Sequence, residues 1–231
     1  MTTYTGKIMG DLTLNKGDDA SKVTSIGGSL YVGNDAQADL PALTSIGGSL
    51  YVGNDAQADL PALTSIGGYL YVRPNAQADL PALTSIGGYL DVGNDAQADL
   101  PALTSIGGYL YVRPNAQADL PALTSIGGYP VPDIGIARQR LVTVAKRVLA
   151  DPAKLDMDSW HNESSGCGTT HCIAGWAVHL EPGGYELERK VGSTLLAANI
   201  LLGVEPSKLF FLDRDNALHE LRKVIEADPA A

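Results

Sequence analysis

The chain has 231 residues, of which 45% are apolar and 18% charged, and a formal net charge of −10 at pH 7. It contains no run of about 18 apolar residues, so no helical membrane span is expected, and no clustered basic patch of the kind a nucleic-acid-binding face needs. The N-terminus, MTTYTGKIMGDLTLNKG, lacks the basic start and apolar core of a signal peptide, so a cytoplasmic setting is expected. Two cysteines, Cys167 and Cys172, fall in one short segment, which is not a secreted disulfide framework.

In chain order, residues 1–22 read as an N-terminal cap, with Asp11-Leu12-Thr13-Leu14 as an imperfect first strand. Residues 23–129 are a repeat array. Thr-Ser-Ile-Gly-Gly recurs six times at a spacing of 20 residues, from Thr24 to Thr124. A short fixed period means stacked turns, each too small to bury its own apolar side chains. Within a turn, Ser49-Leu50-Tyr51-Val52 alternates, which predicts a strand with Leu50 and Val52 inward and Ser49 and Tyr51 outward. Stacking places these strands in a parallel sheet, with Leu43, Ile46 and Leu60 completing the interior. Gly47-Gly48 predicts a tight turn at positive φ. Asp59, before Leu60-Pro61, predicts an N-cap for one helical turn. Pro130 and Pro132 end the pattern.

The run Leu40-x-x-Leu43-x-x-Ile46 followed by Leu50-x-Val52 resembles leucine-rich repeats over roughly residues 10–129. It departs from them in lacking a regular asparagine ladder, since Pro74 and Pro114 stand where other turns carry Asn. The expected fold class is therefore α+β: a parallel β-solenoid, leucine-rich-repeat-like, followed by a small, mostly α-helical domain over 130–231.

Variation between turns is confined to the strand and its exit. The strand's first residue is Ser29, Ser49, Tyr69, Tyr89, Tyr109 and Tyr129; its third is Tyr31, Tyr51, Tyr71, Asp91 and Tyr111. The exit is Gly-Asn-Asp in three turns and Arg73-Pro74-Asn75 or Arg113-Pro114-Asn115 in two. A solvent-facing tyrosine sheet rimmed by arginine has the composition of a protein-binding surface, although tyrosine is also a good strand residue whose stacked rings support one another. Asp39, Asp59, Asp79, Asp99 and Asp119 form a second column. Residues 23–129 carry nine Asp and two Arg, so an acidic mimic of nucleic acid is an alternative reading.

From Ile134 the apolar period becomes helical. Helices are expected over 136–150, 172–180, 186–202 and 216–227, with Leu209-Phe210-Phe211-Leu212 as an apolar connector. Trp160-His161, then Cys167-Gly-Thr-Thr-His171-Cys172-Ile-Ala-Gly-Trp176-Ala, resembles a group of short bacterial and phage proteins of unassigned activity. The resemblance covers residues 136 to about 223 and implies a phage or mobile-element origin. Three chemistries fit these residues. Thr169 or Thr170 could cap a buried helix with Cys172 and Trp176 packed in the core. His161, Cys167, His171 and Cys172 could hold zinc, although this spacing is not a common finger. Cys172 could be a nucleophile served by His161, His179 or His219. The packing reading is preferred, so neither catalysis nor a cofactor is expected.

The expected function is binding. Tyr31, Tyr51, Tyr69, Tyr71, Tyr89, Tyr109 and Tyr111 dock a protein partner, and Arg73 and Arg113 fix its register. A phage origin would make a host or defence protein the target; pairing of two copies into a homodimer is the alternative use of the same face.

Overall fold

A computed structural model of the chain describes residues 2–158, 161–162, 170–203 and 205–228. The chain divides into two compact units, Met1–Gly128 and Tyr129–Ala231.

The first unit is a parallel β-solenoid. Each turn supplies three short strands, for example Ser45–Ile46, Leu50–Val52 and Gln57–Asp59. Each strand pairs in register with its equivalents one turn before and after: Leu50 lies between Leu30 and Leu70, and Gln57 between Gln37 and Gln77. Three parallel sheets therefore enclose one apolar interior. Leu43, Ile46, Leu50, Val52, Ala56, Ala58 and Leu60 are all buried, and every inner turn repeats the set. Burying a leucine or isoleucine contributes roughly 1.5–3 kcal/mol, but only against the neighbouring turns.

The corners explain which residues are interchangeable. At the strand exit the Ala56 amide donates to the Gly53 carbonyl at 3.2 Å, closing a four-residue turn whose third residue, Asp55, has φ 57°. Asn75 and Asn115 hold the same left-handed geometry. Turns of this kind favour proline second and asparagine or aspartate third. Gly-Asn-Asp and Arg-Pro-Asn are thus two solutions to one corner.

Within the turns the structure departs from expectation at Asp59 and at the paired glycines. Asp59 caps no helical turn: it ends the strand Gln57–Asp59 and is exposed. Leu60-Pro61-Ala62-Leu63 instead closes as a β-turn, with the Leu63 amide donating to the Leu60 carbonyl at 3.1 Å. A lone helical turn fixes several dihedrals for little hydrogen bonding, whereas a third strand gains partners on both sides. At Gly47-Gly48 the requirement is close approach rather than positive φ. A Cβ on Gly47 would lie 2.4 Å from the Gly27 carbonyl oxygen, and one on Gly67 2.2 Å from that of Gly47. Only in the last copy, at Gly127 and Gly128, do these glycines turn to positive φ.

At the N-terminal end, Thr3–Ile8 pairs with Asp19–Ile26 through two register shifts, with Gly6 at φ 69° and Lys7 exposed. A bulged, lysine-bearing edge strand is a poor template for further pairing. Leu12–Leu14 opens the sheet that the tyrosine strands continue.

The second unit holds α1 (Ile134–Ala150), α2 (Ile173–Leu180), α3 (Gly184–Val191), α4 (Thr194–Leu202) and α5 (Arg214–Glu226). The single helix expected over 186–202 is two helices. Gly192, at φ 70°, ends α3, and the Ser193 hydroxyl caps α4 by accepting from the Leu196 amide. Val144, Val148, Ile173, Trp176, Val178, Ala197, Leu202 and Leu221 are buried. Glu205–Phe211 forms a 3₁₀ segment that buries Leu209 and Phe210. Among the described residues no helix is long and apolar enough to cross a membrane.

Candidate functional site

The sheet built from Leu30–Val32 and its four successors turns its leucines and valines inward and its intervening residues out. In-register pairing of Tyr31 with Tyr51, and of Tyr51 with Tyr71, forces the rings into a stack. Their centroids are 4.8 and 5.0 Å apart, with interplanar angles of 4° and 12°. Such contacts add roughly 0.5–1.5 kcal/mol per pair beyond burial.

A second column begins where serine gives way to tyrosine. In the early turns the Ser29 hydroxyl accepts from the Ser49 amide, and the Ser49 hydroxyl from the Tyr69 amide. Beyond that point Tyr69, Tyr89 and Tyr109 follow at 4.9 Å per rung, but tilted by 38° and then 73°. Two columns of rings on one three-residue-wide sheet cannot all stay parallel, and the fanned arrangement lets edges meet faces. Tyr31 and Tyr69 are each 37% exposed; the other five are half-buried.

Asp91 interrupts the first column. Arg113 reaches back across the rung to it, with Nε and Nη2 each 3.2 Å from a carboxylate oxygen. The same guanidinium lies 5.3 Å from the Tyr111 ring centre, and Arg73 sits 5.5 Å from that of Tyr71. Arg73 is exposed and makes no ion pair among the described residues. The two arginines, expected to act alike, therefore differ: one is anchored within the face and one is presented to solvent. Burial, then the neighbouring phenols Tyr51 and Tyr69, raises the Tyr71 hydroxyl above its ordinary pKa, and burial followed by Tyr109 and Tyr89 does the same for Tyr111.

No protein family, curated protein or solved structure matches this chain.

The aspartate column lies on the third sheet, where Asp59, Asp79 and Asp99 pair in register with their carboxylates exposed. Partial burial, then Asp59 and Asp99, raises the Asp79 carboxyl. Gln37 and Gln57 run beside it, joined side chain to side chain at 3.2 Å.

In the second unit Cys172 is 2% exposed and its thiol caps α2, the Sγ accepting from the Gly175 amide at 3.4 Å. It borders an open cleft with Leu155, Met157 and Phe210. Burial pushes its pKa up to about 11, which keeps it a neutral thiol at physiological pH. His179 lies two helical turns further along α2, roughly 10 Å in rise and beyond hydrogen-bond reach. Its Nδ1 instead faces the Tyr185 hydroxyl at 2.9 Å. His219 is exposed on α5. His171 is fully buried, edge-on to Trp176 at 4.9 Å and 4.7 Å from the His179 ring. The backbone of His161 pairs with that of His171. Cys167, with the side chain of His161, lies outside the described residues, and so does Thr169. Among the described residues no three His, Cys, Asp or Glu side chains gather as metal ligands.

The helix-capping role of Cys172 was missed from sequence, where threonine was expected to cap. Serine and threonine are the usual signals for such a cap and a buried thiol is not. The Asp91–Arg113 pair was also missed, although Asp91 stands out in sequence as the one departure from tyrosine in its column.

Proposed function

We propose that the solenoid is a protein-binding module and that its tyrosine face, from Tyr31 to Tyr111, is the docking surface. The observation that carries this reading is the concentration of seven partly exposed tyrosines and two arginines on one of three otherwise uniform sheets. The other two sheets repeat with little change from turn to turn, so only this face carries positional information. Tyrosine and arginine are the residues on which binding energy concentrates, because a rigid ring buries much area at low entropic cost. The likeness of the array to leucine-rich repeats supports a binding role. The likeness of the second unit's Cys-Gly-Thr-Thr-x-Cys motif to bacterial and phage proteins supports a host or defence protein as the target.

Photo-crosslinking tests the assignment. A benzophenone amino acid at Tyr51 or Tyr109, in the organism that expresses the protein, should give one discrete adduct. The same probe at Gln57 or Gln97 should give none, and Arg73→Glu with Tyr71→Ala should abolish the tyrosine-face adduct. Equal adducts from both faces, or none from Tyr51 and Tyr109, would refute it.

A further inference from the structure

The tyrosine face repeats over a longer distance than the sheet beneath it. Tyr69-Leu70-Tyr71-Val72-Arg73 and Tyr109-Leu110-Tyr111-Val112-Arg113 are the same composite rung, separated by one rung carrying Tyr89, Asp91 and Gly93. The composite rungs share their geometry. The two tyrosines are 5.8 Å apart in one and 6.0 Å in the other, and the arginine covers the inner ring at 5.5 and 5.3 Å. At 4.9 Å for each intervening step, the two subsites lie two rungs, roughly 9.8 Å, apart.

That separation selects among extended ligands. A β-strand laid along the rod presents like-facing residues roughly every 6.7 Å, which matches neither one rung nor two. An α-helix advances about 5.4 Å per turn and slips by roughly 0.5 Å at every rung. A polyproline II chain presents every third residue on the same side at about 9.3 Å, within roughly 0.5 Å of the subsite spacing. Proline-rich segments also dock on aromatic-lined surfaces, because the ligand is already ordered and the rings supply flat apolar walls. The strip is about 10 Å wide, three strand residues, and spans about 20 Å from Tyr31 to Tyr111, on the order of 200 Å² in projection. That falls well short of the roughly 800 Å² per partner of a stable globular interface, so a single extended chain fits it and a second copy of this protein does not.

We propose that the two composite rungs are paired subsites for a proline-rich segment of a protein partner, bound in the polyproline II conformation with a carboxylate at every third residue. The prolines seat against Tyr69–Tyr71 and Tyr109–Tyr111, and the carboxylates face Arg73 and Arg113. This deepens the docking reading and rests on it. Arg73 supplies the stronger charge contact, since Arg113 shares its guanidinium with Asp91.

The test is fluorescence anisotropy with a labelled peptide of Pro-Pro-Glu triplets against one of Gly-Ser-Glu triplets of equal length and charge. The proline peptide should bind about tenfold tighter or more, the scale of losing or gaining one hot-spot contact. Deleting the turn 83–102 keeps both composite rungs but halves their separation, and should erase the preference. Deleting the turn 43–62 leaves the separation intact and should preserve it. If circular dichroism shows that the first deletion does not fold, Arg73→Glu, at an exposed position, should weaken the proline peptide about tenfold. Equal binding of the two peptides, or a preference that survives the 83–102 deletion, overturns the proposal. Selection from a displayed random-peptide library separates it from the broader reading. Peptides that need Tyr71 but lack proline triplets sink this inference alone, and no Tyr71-dependent peptide at all sinks the docking surface with it.

Discussion

Tyr71 and Tyr111 hold their protons more tightly than an exposed tyrosine, whose ordinary pKa is 10.0, and the first cause is burial among neighbouring rings. The direction has a consequence for stability. Above pH 10 the unfolded chain has given up these protons while the folded chain still holds them, so stability falls as pH rises through that window. Phenolate absorbance should show a late-titrating fraction of tyrosines, and Tyr71→Phe should remove part of it. All phenols titrating together near the ordinary value, with the fold intact, would contradict the packing of the face. At this scale the sequence was informative about types and poor about partners. It placed the tyrosines outward by simple alternation, but the Arg113–Asp91 pair joins residues 22 apart and became visible only once the rungs were stacked.

At the scale of elements, the doubled glycine stands where one turn passes closest over the next. Gly67→Ala would set a methyl carbon 2.2 Å from a main-chain oxygen that the sheet holds in place. Overpacking of this kind costs about 1–3 kcal/mol, toward the upper end where the obstacle is main chain and cannot rotate away. Gly10→Ala, where a Cβ meets nothing within 4 Å, should be close to neutral. Chemical denaturation of the two variants measures the contrast, and similar midpoints would show that the turns can part to admit a side chain. The Leu50–Val52 strand was legible because alternation is its signal. Gln57–Asp59 was not, since Gln-Ala-Asp has low strand propensity and becomes a strand through its in-register neighbours. Likewise Gly192-Ser193, between the charge-rich residues 186–190 and the mainly apolar residues 194–202, carries the marks of a stop and a start that a single helix over 186–202 overlooks.

At the scale of the molecule, the 20-residue repeat made the solenoid legible, whereas the second unit has a helical apolar period but no repeat from which the packing of its helices could be extrapolated. Each inner turn contacts only the turns beside it, so the first unit gains stability by length. Duplicating residues 43–62 should raise the urea midpoint and steepen the transition, because one more buried turn adds exposed surface on unfolding. A lower midpoint would mean that the ends, rather than the stacked turns, hold the array together.

The two corner sequences, Gly-Asn-Asp and Arg-Pro-Asn, carry an evolutionary consequence. Because either closes the same bend, a gene encoding this rod can exchange, add or drop whole turns by recombination between near-identical segments without disturbing the architecture. The order of the turns then behaves as heritable text, in which moving one arginine-bearing turn rewrites the spacing of the surface in a single event. New specificity would arise by permutation of existing units, faster than by accumulating substitutions one at a time.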